Sequence, residues 1–478
     1  MIERSSRVHF IGIGGAGMSA VAHVLLARGY RVSGSDLRAS ESTRRLEALG
    51  AVIHVGHDAA HVSGADVVVA SRAVPDLNAE LVAARYLDIP VLHRAQLLGQ
   101  IMAQGLGIAV VGTHGKTTTT AMTAHVLAEG GLDPTALVGG DIEELGGNVR
   151  IGQGPHVVAE VDESDGSLVY VHPHAAVVTS LDITDHRDHY GTMGRLLETF
   201  TRFLGTLPAG GFAVMCTDHR HVRDLLPGLT GRVLTFGLGG GAQFTATIQQ
   251  MEGALTRCTI RRDGRALGKV VLPVPGRYNV RNALAATAVG LELGMPFDAI
   301  ARGLGSFRGV RRRFDVRGEV DGVMVVDDYA HNPIKIAAVL GAAKECWPAR
   351  RVVAVFQPHR YSRTKTTYRR FAQAFEAADE LIITEIYAAD ETPIPGVTAS
   401  LIVDAVRAHH PVTFIPDASA VVDHLLPRIR SGDLVLTLGA GDIWRVADAL
   451  VAALRRAAAP PGGGEGGRPS MAAAPQGE

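Results

Sequence analysis

Short apolar strands that alternate with helical stretches are the feature that most restricts how this chain can fold. The alternation begins at Val8, and a typical pair is the strand at residues 66–70 followed by the helix at residues 78–84. Parallel strands need long crossover connections, which are usually helices, so this alternation is typical of parallel sheets covered by helices. The sequence therefore predicts an α/β protein.

The alternation restarts near Gly107 and again near Arg311, which predicts three domains. A chain of 478 residues also exceeds what one hydrophobic core usually holds. We place the three domains at residues 1–105, 106–309 and 310–457.

Two segments depart from the alternation. Between about residues 212 and 275 the strands are shorter, and Asp263-Gly264 between two of them predicts a hairpin. The end of the chain, residues 458–478, is mostly Ala, Gly and Pro, with almost nothing to bury. We expect this tail to be disordered.

Charge, hydropathy and cysteine usage exclude several classes of function. The net charge of −1 leaves no excess of basic side chains for a nucleic-acid partner. No apolar run approaches the roughly 20 residues that span a bilayer, and the first residues lack a signal-peptide pattern, so we expect a cytoplasmic protein without a membrane partner. Cys216, Cys258 and Cys346 lack zinc-site or redox-pair spacing and are expected to be reduced core thiols.

The first glycine-rich motif, Gly12-Ile13-Gly14-Gly15-Ala16-Gly17, follows a strand and opens a helix, with Asp36 about twenty residues later. Glycines let the backbone approach a diphosphate, whose charge the helix N-terminus favours. A tight turn in any α/β domain would look similar. The motif favours a diphosphate ligand without choosing between a nicotinamide cofactor and another nucleotide.

The second motif, Gly112-Thr113-His114-Gly115-Lys116-Thr117, closes an apolar strand and opens a helix. Its backbone N–H groups can cradle phosphates, Lys116 can neutralise developing charge, and the Thr117 hydroxyl can ligate magnesium. The usual consensus has a glycine where Val110 stands, so Gly112 takes the early-turn role. An ordinary helix start is the alternative, but the flanking strand and helix favour ATP binding.

Polar residues follow several other predicted strands. Carboxylates at 160–165 and the acids and histidines at 182–190 each end a strand and could hold magnesium near the phosphates, although a solvated acidic loop or a structural histidine would fit as well. Asn279 and Asn282 lie one turn apart at a helix start and could read a nucleotide or cap the helix. The arginines at 311–313 are a phosphate clamp or a solvated run. In the third domain, residues 327–333 and 357–363 end consecutive strands.

Taken together, these motifs resemble the Mur ligase family, from Val8 to about Arg455. The most specific matches are Gly12 to Met18, Gly112 to Thr120, Asp328 to His331 and Phe356 to Arg360. The family implies a Rossmann-like N-terminal domain that binds a UDP sugar, a central P-loop-type ATPase domain with a parallel sheet and a small β element, and a Rossmann-like C-terminal domain that closes over the site. The alanine-adding branch fits best, which implies joining L-alanine to UDP-N-acetylmuramate through an acyl phosphate in peptidoglycan synthesis.

The resemblance also implies roles for individual residues. The sugar nucleotide would contact Gly14, Gly15, Ala16, Gly17, Ser35, Asp36 and Ser71. His359, Arg360 and Arg363 would be substrate contacts from the third domain. ATP would contact Gly112, Thr113, His114, Gly115, Lys116, Thr117, Thr118, Asn279 and Asn282. Two Mg²⁺ ions, replaceable by Mn²⁺, would be held by Thr117, Glu160 and His186, and catalysis would need Lys116, Glu160, His186, Arg313 and Asp328. The amine needs a general base, for which the sequence offers His331 and Asp328 without choosing.

The sequence departs from the family pattern in two places. The segment from Ser180 to His186 is one residue longer than usual, which affects the placement of His186. No lysine lies between Lys116 and Lys269, so the carbamylated lysine of several sister ligases is absent, as in the alanine-adding branch.

Three other functions explain part of the sequence. A nicotinamide oxidoreductase accounts for the first glycine loop but leaves Lys116 without a task. A noncatalytic nucleotide-binding regulator accounts for both loops but not for the polar loops of three domains. A ligase that attaches a recycled tripeptide to the same UDP sugar is the nearest enzymatic alternative. The sequence leaves open whether the protein is a monomer or a homodimer.

Overall fold

The computed structural model describes residues 3, 5–71, 74–142, 147–164, 166–183 and 187–458, except for the side chains of Arg187 and Asp188. The chain forms two compact units. The first contains the residues up to Asp315 together with Ile334–Pro348, and the second contains Val316–Pro333 and the chain from Ala349 onward. The three predicted domain boundaries therefore stay a prediction.

The first unit begins with a five-stranded parallel sheet in the order β3-β2-β1-β4-β5. Its strands are β1 (Arg7–Ile11), β2 (Arg31–Asp36), β3 (Val52–Val55), β4 (Val67–Ala70) and β5 (Val91–His93). The accompanying helices are α1 (Ala16–Ala27), α2 (Glu41–Ala48), α3 (Ala79–Tyr86) and α4 (Arg94–Ala103). This is the Rossmann-like arrangement predicted for the N-terminal domain.

The first unit continues with a ten-stranded sheet in the order β15-β14-β13-β12-β11-β10-β6-β9-β7-β8. Its strands are β6 (Leu106–Val111), β7 (Thr135–Ile142), β8 (Gly147–Arg150), β9 (His156–Glu160), β10 (Ala175–Val178), β11 (Phe212–Cys216), β12 (Arg232–Phe236), β13 (Phe244–Glu252), β14 (Leu255–Arg262) and β15 (Arg265–Leu272). The pairs of β13 with β14, β14 with β15 and β7 with β8 are antiparallel, and β14 and β15 form the predicted hairpin at Asp263-Gly264.

In the part of the first unit that the structure describes, seven α-helices accompany this sheet. They are α5 (Lys116–Glu129), α6 (Arg187–Tyr190), α7 (Met193–Leu204), α8 (Arg220–Arg223), α9 (Arg277–Glu292), α10 (Phe297–Ser306) and nearly all of α11 (Pro333–Cys346). Helix α9 begins at Arg277, so Asn279 and Asn282 lie near a helix start, as predicted. Arg277 Nε lies 2.7 Å from Glu345 Oε1 on α11, which ties these two helices together.

Strand β6 is apolar throughout because both of its faces are covered. Ile108 and Val110 belong to a core with residues of α5 and α9, whereas Ala109 and Val111 belong to a second core with Phe200 of α7. Successive side chains of a strand point to opposite faces, so a strand covered on both sides carries a continuous apolar run. The run that the sequence shows before Gly112 therefore places the glycine loop at the edge of a central strand.

The second unit holds a six-stranded sheet in the order β16-β17-β21-β18-β19-β20. Its strands are β16 (Asp315–Val320), β17 (Val323–Asp328), β18 (Arg351–Phe356), β19 (Glu380–Ile383), β20 (Thr413–Phe414) and β21 (Asp433–Leu438). The neighbouring strands β17, β21, β18, β19 and β20 are parallel to one another. Its helices are α12 (Tyr361–Thr367), α13 (Ser400–Arg407), α14 (Val421–Leu425) and α15 (Trp444–Ala458).

The remaining predictions from composition concern the cysteines, membrane-spanning segments and the C-terminal tail. Cys216, Cys258 and Cys346 are free and buried, as predicted, and burial raises the pKa of the Cys216 and Cys258 thiols to about 11. Among the described residues, no helix is long and apolar enough to cross a membrane. The predicted tail lies outside the described residues from Ala459 onward.

Helix α4 packs so closely that one of its residues must be glycine. A Cβ built on Gly99 would lie 2.2 Å from the carbonyl oxygen of Tyr170. We expect Gly99→Ala to destabilise the protein by about 1–3 kcal/mol, because overpacking outweighs the better helix propensity of alanine. Gly341→Ala in α11 is the matched control, since nothing lies within 4 Å of its Cβ position, and it should stabilise by roughly 0.4–1 kcal/mol. Chemical denaturation measures both, and equal effects would contradict the close packing.

Candidate functional site

The loop from Gly112 to Thr117, here called the phosphate loop, connects β6 to α5 and begins with a glycine that no other residue could replace. Gly112 has φ +118°, and a Cβ there would lie 2.5 Å from Thr179 Oγ1 and 2.6 Å from the Ser180 carbonyl oxygen. Gly115, with φ +82°, caps the start of α5. The conformation explains why Val110 is tolerated where other phosphate loops have glycine: the sharp turn occurs at Gly112.

Hydrogen bonds to the segment after β10 hold the phosphate loop in place. The Thr113 N–H donates to the Ser180 carbonyl at 2.9 Å, and the His114 N–H donates to the Ser180 hydroxyl at 2.9 Å. The Asp182 N–H donates to Thr113 Oγ1 at 2.8 Å. Ser180, at the point where the sequence departs from the family pattern, thus anchors the loop.

Lys116 is paired with a buried carboxylate. Its Nζ donates to both side-chain oxygens of Glu163, at 2.8 and 2.9 Å, and Glu163 is fully buried. Burial by itself would lower the pKa of Lys116, but the carboxylates of Glu163, Asp162 and Glu160 outweigh it, so this pKa is raised. The lysine at the start of α5 is therefore a fixed positive charge.

Thr117 and Glu160 present oxygen atoms suited to magnesium. The Thr117 hydroxyl donates to Glu160 Oε1 at 3.2 Å, and the Gly139 N–H donates to Glu160 Oε2 at 2.9 Å. Mg²⁺ prefers oxygen ligands and is commonly held by one or two protein groups together with phosphate oxygens and water. The Thr117 hydroxyl oxygen and the Glu160 carboxylate oxygens fit such an ion as ligands. Arg313 Nη2 lies 3.4 Å from Thr117 Oγ1, so the structure brings the predicted arginine to the same place.

The predicted metal ligand His186 lies outside the described residues. His189, the other candidate of that segment, is exposed, and its ring lies edge-on to Tyr190 with the centroids 4.7 Å apart. Within the described ranges, no group of three or more His, Cys, Asp or Glu side chains is arranged to hold a metal ion.

Asn279 and Asn282 are buried, and the second of them reaches the phosphate loop. Asn282 Oδ1 accepts a hydrogen bond from Thr119 at 3.1 Å and lies 3.1 Å from the Cβ position of Gly115. Asn282 Nδ2 donates to Asn279 Oδ1, and Asn279 Nδ2 donates to the Pro275 carbonyl. The pair therefore supports the start of α9 and the turn at Gly115 together. Thr118 is half-buried on α5.

The first glycine loop is held by Asp36. The Gly14 N–H donates to Asp36 Oδ2 at 2.9 Å, and the N–H groups of Gly12 and Ile13 both donate to the Ser35 carbonyl oxygen. The Ala16 carbonyl oxygen accepts a hydrogen bond from Asn148 Nδ2 at 2.9 Å. Gly15 caps α1 in an extended conformation. Ser71 is half-buried, and its carbonyl oxygen accepts from Val74.

Arg94, which sequence reasoning did not single out, lies over the last glycine of this loop. Its Nη1 is 2.9 Å and its Cζ 3.2 Å from the Cβ position of Gly17. Burial would raise the pKa of Asp162, but Lys116, the hydrogen bonds from Ser164 and, to a smaller extent, the Arg94 guanidinium lower it. Arg94 therefore adds a positive charge beside the glycine loop.

The hydroxyl group of Ser35 faces a buried cluster rather than the glycine loop. It donates to Glu80 Oε2 at 2.6 Å, while His61 Nδ1 donates to Glu80 Oε1 at 2.8 Å. His9 Nε2 and His57 Nδ1 lie 3.6 and 3.4 Å from Glu80 Oε2. Only the backbone carbonyl of Ser35 supports the loop, so a contact between its hydroxyl and the sugar nucleotide stays a prediction.

The second unit gathers its predicted residues at the carboxyl ends of β17 and β18. Asp328 ends β17, and its Oδ1 accepts the Ala330 N–H at 2.7 Å. His331 Nδ1 donates to the Tyr329 carbonyl at 2.9 Å, and the His331 and His359 rings are 6.1 Å apart. Arg363 Nη1 donates to His359 Nδ1 at 2.9 Å, and Arg360 is exposed with φ +70° at the start of α12.

Glu163 is the other residue that sequence reasoning passed over as a partner of Lys116. A lysine at the start of a helix between two apolar cores needs a nearby carboxylate, and Glu163 stood among the acids after β9. The spacing of those acids did not distinguish which one faces the lysine.

Comparison with known proteins agrees with this geometry. Residues 7–105 match the Mur ligase family catalytic domain, residues 110–290 the Mur ligase middle domain, and residues 312–441 the glutamate ligase domain of Mur ligases. The UDP-N-acetylmuramate–L-alanine ligase of Geotalea daltonii is 50% identical over 459 residues, which cover 96% of this chain and 100% of that protein. The chain belongs to the Mur ligase family. Its predicted α/β fold and ligase class are thereby confirmed.

Other relatives of this Mur ligase are also ligases, by the names they carry. The UDP-N-acetylmuramate–L-alanine ligase of Trichlorobacter lovleyi is 48% identical over 95% of this chain and 100% of that protein. The crystal structure of the UDP-N-acetylmuramate-alanine ligase MurC from Thermotoga maritima has a TM-score of 0.81 at 31% identity and covers 95% of this chain and 100% of that one. A murein peptide ligase from Psychrobacter arcticus, with a TM-score of 0.69 at 23% identity, covers 94% of this chain and 99% of that one and shares the fold.

The Glu80 cluster makes the stability of this Mur ligase depend on pH. Burial would raise the pKa of Glu80, but the nearby His9 side chain and the hydrogen bonds from Ser35 and His61 lower it from 4.5 to about 2. A carboxyl whose pKa is lower in the folded state stabilises the fold above its unfolded pKa, and this stabilisation is lost as the pH falls toward about 2.

We therefore expect Glu80→Gln to lower the free energy of unfolding at neutral pH, by an amount that shrinks as the pH falls from about 4.5 to about 2. Urea denaturation at several pH values measures the difference from the wild type. Glu41→Gln is the control, because the Glu41 side chain is 68% exposed. A difference that stays constant with pH would show that the Glu80 charge does not contribute.

Proposed function

We propose that this chain is an ATP-dependent ligase that joins L-alanine to the lactyl carboxylate of UDP-N-acetylmuramate, in the synthesis of peptidoglycan precursors in the cytoplasm. The observation that carries the proposal is the phosphate loop with Lys116 paired to Glu163 and Thr117 facing Glu160, in a chain matched over its length by alanine-adding ligases. The reaction of a nicotinamide oxidoreductase would not require Lys116 with Glu163 or Thr117 with Glu160.

Amide formation proceeds in two steps, because a carboxylate is a poor electrophile until one of its oxygens becomes part of a leaving group. The lactyl carboxylate attacks the γ-phosphate of ATP and gives an acyl phosphate and ADP. The amine of alanine then attacks the acyl carbon and expels phosphate. Phosphoryl transfer depends mainly on positioning and charge stabilisation, which Lys116 and Arg313 supply as fixed positive charges.

Thr117 and Glu160 are the described residues that would hold magnesium, which when bound neutralises charge on the phosphates. We expect a second ion to involve His186, and Mn²⁺ to substitute. Gly14, Gly15, Ala16, Gly17, Asp36 and Ser71 would bind the UDP moiety, with Arg94 as an additional positive charge beside the loop, and His359, Arg360 and Arg363 would contact substrate.

The alanine amine must lose a proton to attack, and we assign this step to His331. Its Nδ1 donates to the Tyr329 carbonyl, so the proton of the neutral ring is on Nδ1 and Nε2 carries the lone pair that accepts a proton. Asp328, by contrast, uses one carboxylate oxygen to hold the turn at Ala330.

The acceptor decides between the two enzymatic candidates. With ATP, Mg²⁺ and UDP-N-acetylmuramate present, we expect phosphate release to require L-alanine and to remain at background with the recycled tripeptide. Serine and glycine should also be accepted, though less well than L-alanine, because a pocket separates substrates differing by one methylene by only about 1–3 kcal/mol. Preference for the tripeptide would overturn the alanine assignment, and phosphate release with neither acceptor would overturn ligation.

Lys116→Ala is expected to lower the rate of ligation by about 10²–10³ or more, by analogy with the loss of other charge-stabilising groups. It also leaves the buried Glu163 carboxylate without its partner, which costs about 3–5 kcal/mol of stability. Lys116→Met combined with Glu163→Gln removes both charges and should recover stability but not activity. Initial rates and thermal unfolding measure these effects. A well-folded Lys116→Ala enzyme with normal activity would exclude Lys116 from the reaction.

A further inference from the structure

We propose that Glu163 is a positioning residue that holds the ammonium group of Lys116 in the phosphate loop, so that Lys116 can reach the outer phosphates of ATP. This inference rests on the proposed function and assigns a role to a residue that does not itself contact the nucleotide. It depends on where the Glu163 carboxylate is anchored.

Glu163 is fixed at three points independent of Lys116. Its carbonyl oxygen accepts the hydroxyl of Tyr190 and the Gly166 N–H, and its Oε2 accepts the Gly112 N–H at 3.3 Å. Gly112 is the residue at which the phosphate loop leaves β6. Two of these bonds hold the Glu163 backbone, and the third holds its carboxylate against the first residue of the phosphate loop.

Lys116 is bound to this carboxylate by two short hydrogen bonds, to Glu163 Oε1 and Oε2. A lysine side chain has four rotatable bonds and loses considerable rotamer entropy when it is fixed. Because the Glu163 carboxylate already holds the Lys116 side chain, this rotamer entropy is lost before ATP binds. The Lys116 side chain keeps 14% of its surface exposed, whereas Glu163 has none, so the lysine is accessible to a ligand and the carboxylate lies behind it.

The same contacts fit a second role, in which Glu163 occupies the place of a phosphate and ATP must displace it. The complete burial of Glu163 and its bond to Gly112 favour positioning over displacement, because a displaced group needs a path to leave. The two roles predict opposite signs for the effect of Glu163→Gln on ATP affinity. Removal of a competing charge tightens ATP binding, whereas loss of positioning weakens it.

The test measures the dissociation constants of ATP and AMP, each with Mg²⁺, by titration calorimetry on the full chain. In phosphate loops the lysine reaches the β- and γ-phosphates, which AMP lacks. We expect Glu163→Gln to weaken ATP binding by about ten- to a hundredfold, the value of one charge-assisted hydrogen bond, and to leave AMP binding within about twofold. A general disturbance of the site would weaken both nucleotides equally and would overturn the proposal.

Asp162→Asn is the matched control. Asp162 is the adjacent carboxylate, whose Oδ1 accepts the Ser164 N–H at 3.0 Å. The variant removes the same charge from the same loop but leaves the bonds between Glu163 and Lys116 in place, so ATP should bind at least as tightly as to the wild type. Weaker ATP binding by Asp162→Asn to the extent seen for Glu163→Gln would attribute the effect to charge and overturn the positioning role.

A comparison of Lys116→Met with the double variant Lys116→Met/Glu163→Gln covers the case in which Glu163→Gln alone folds poorly, because the double variant removes both charges. If Glu163 acts through Lys116, then Glu163→Gln causes no further loss of ATP affinity once Lys116→Met is present. Additive losses would contradict the proposal. A wild-type protein that does not discriminate ATP from AMP would instead overturn the proposed function, which separates the two failures.

Discussion

The close backbone contact at Gly112 is the constraint on which the candidate site depends. Because a side chain at this position would collide with Thr179 and Ser180, the chain can turn there only as glycine, and the turn brings the loop against the end of β10. The following N–H groups then bond to Ser180, and Lys116 begins α5 facing Glu163. The site is thus a consequence of two neighbouring strands ending at the same level.

The sequence predicted the fold well where burial produced a regular pattern. The apolar strand before Gly112 and the helix after it were predicted where β6 and α5 lie, since a strand covered on both faces must be apolar throughout. The sequence predicted Asn279 and Asn282 at a helix start but left open whether they read a nucleotide or cap the helix. In the structure Asn279 Nδ2 donates to the Pro275 carbonyl and Asn282 Oδ1 accepts from Thr119, contacts that local composition does not show.

The candidate site was predictable in part. Lys116, Thr117 and Glu160 follow from the chemistry of phosphate loops and strand ends, and Arg313 came from the family resemblance. Glu163 and Arg94 did not, because which of several nearby charges faces Lys116 or Gly17 is a property of packing across distant segments. Ser35 shows the converse: the family resemblance implied a ligand contact, yet the Ser35 hydroxyl on β2 donates to the buried Glu80 carboxylate.

The burial of the Lys116–Glu163 pair is better explained by chemistry than by stability. Removing two charges from water is costly, and buried ion pairs can often be replaced by apolar side chains of similar volume with no loss of stability or with a gain. The later part of α5 lies in an apolar core with Met122, Val126 and Leu127, and the packing of these residues does not require charges at the start of the helix. A charged lysine at this position is explained if it binds an anionic ligand. A buried carboxylate behind it is explained if it holds the lysine side chain in position for that ligand.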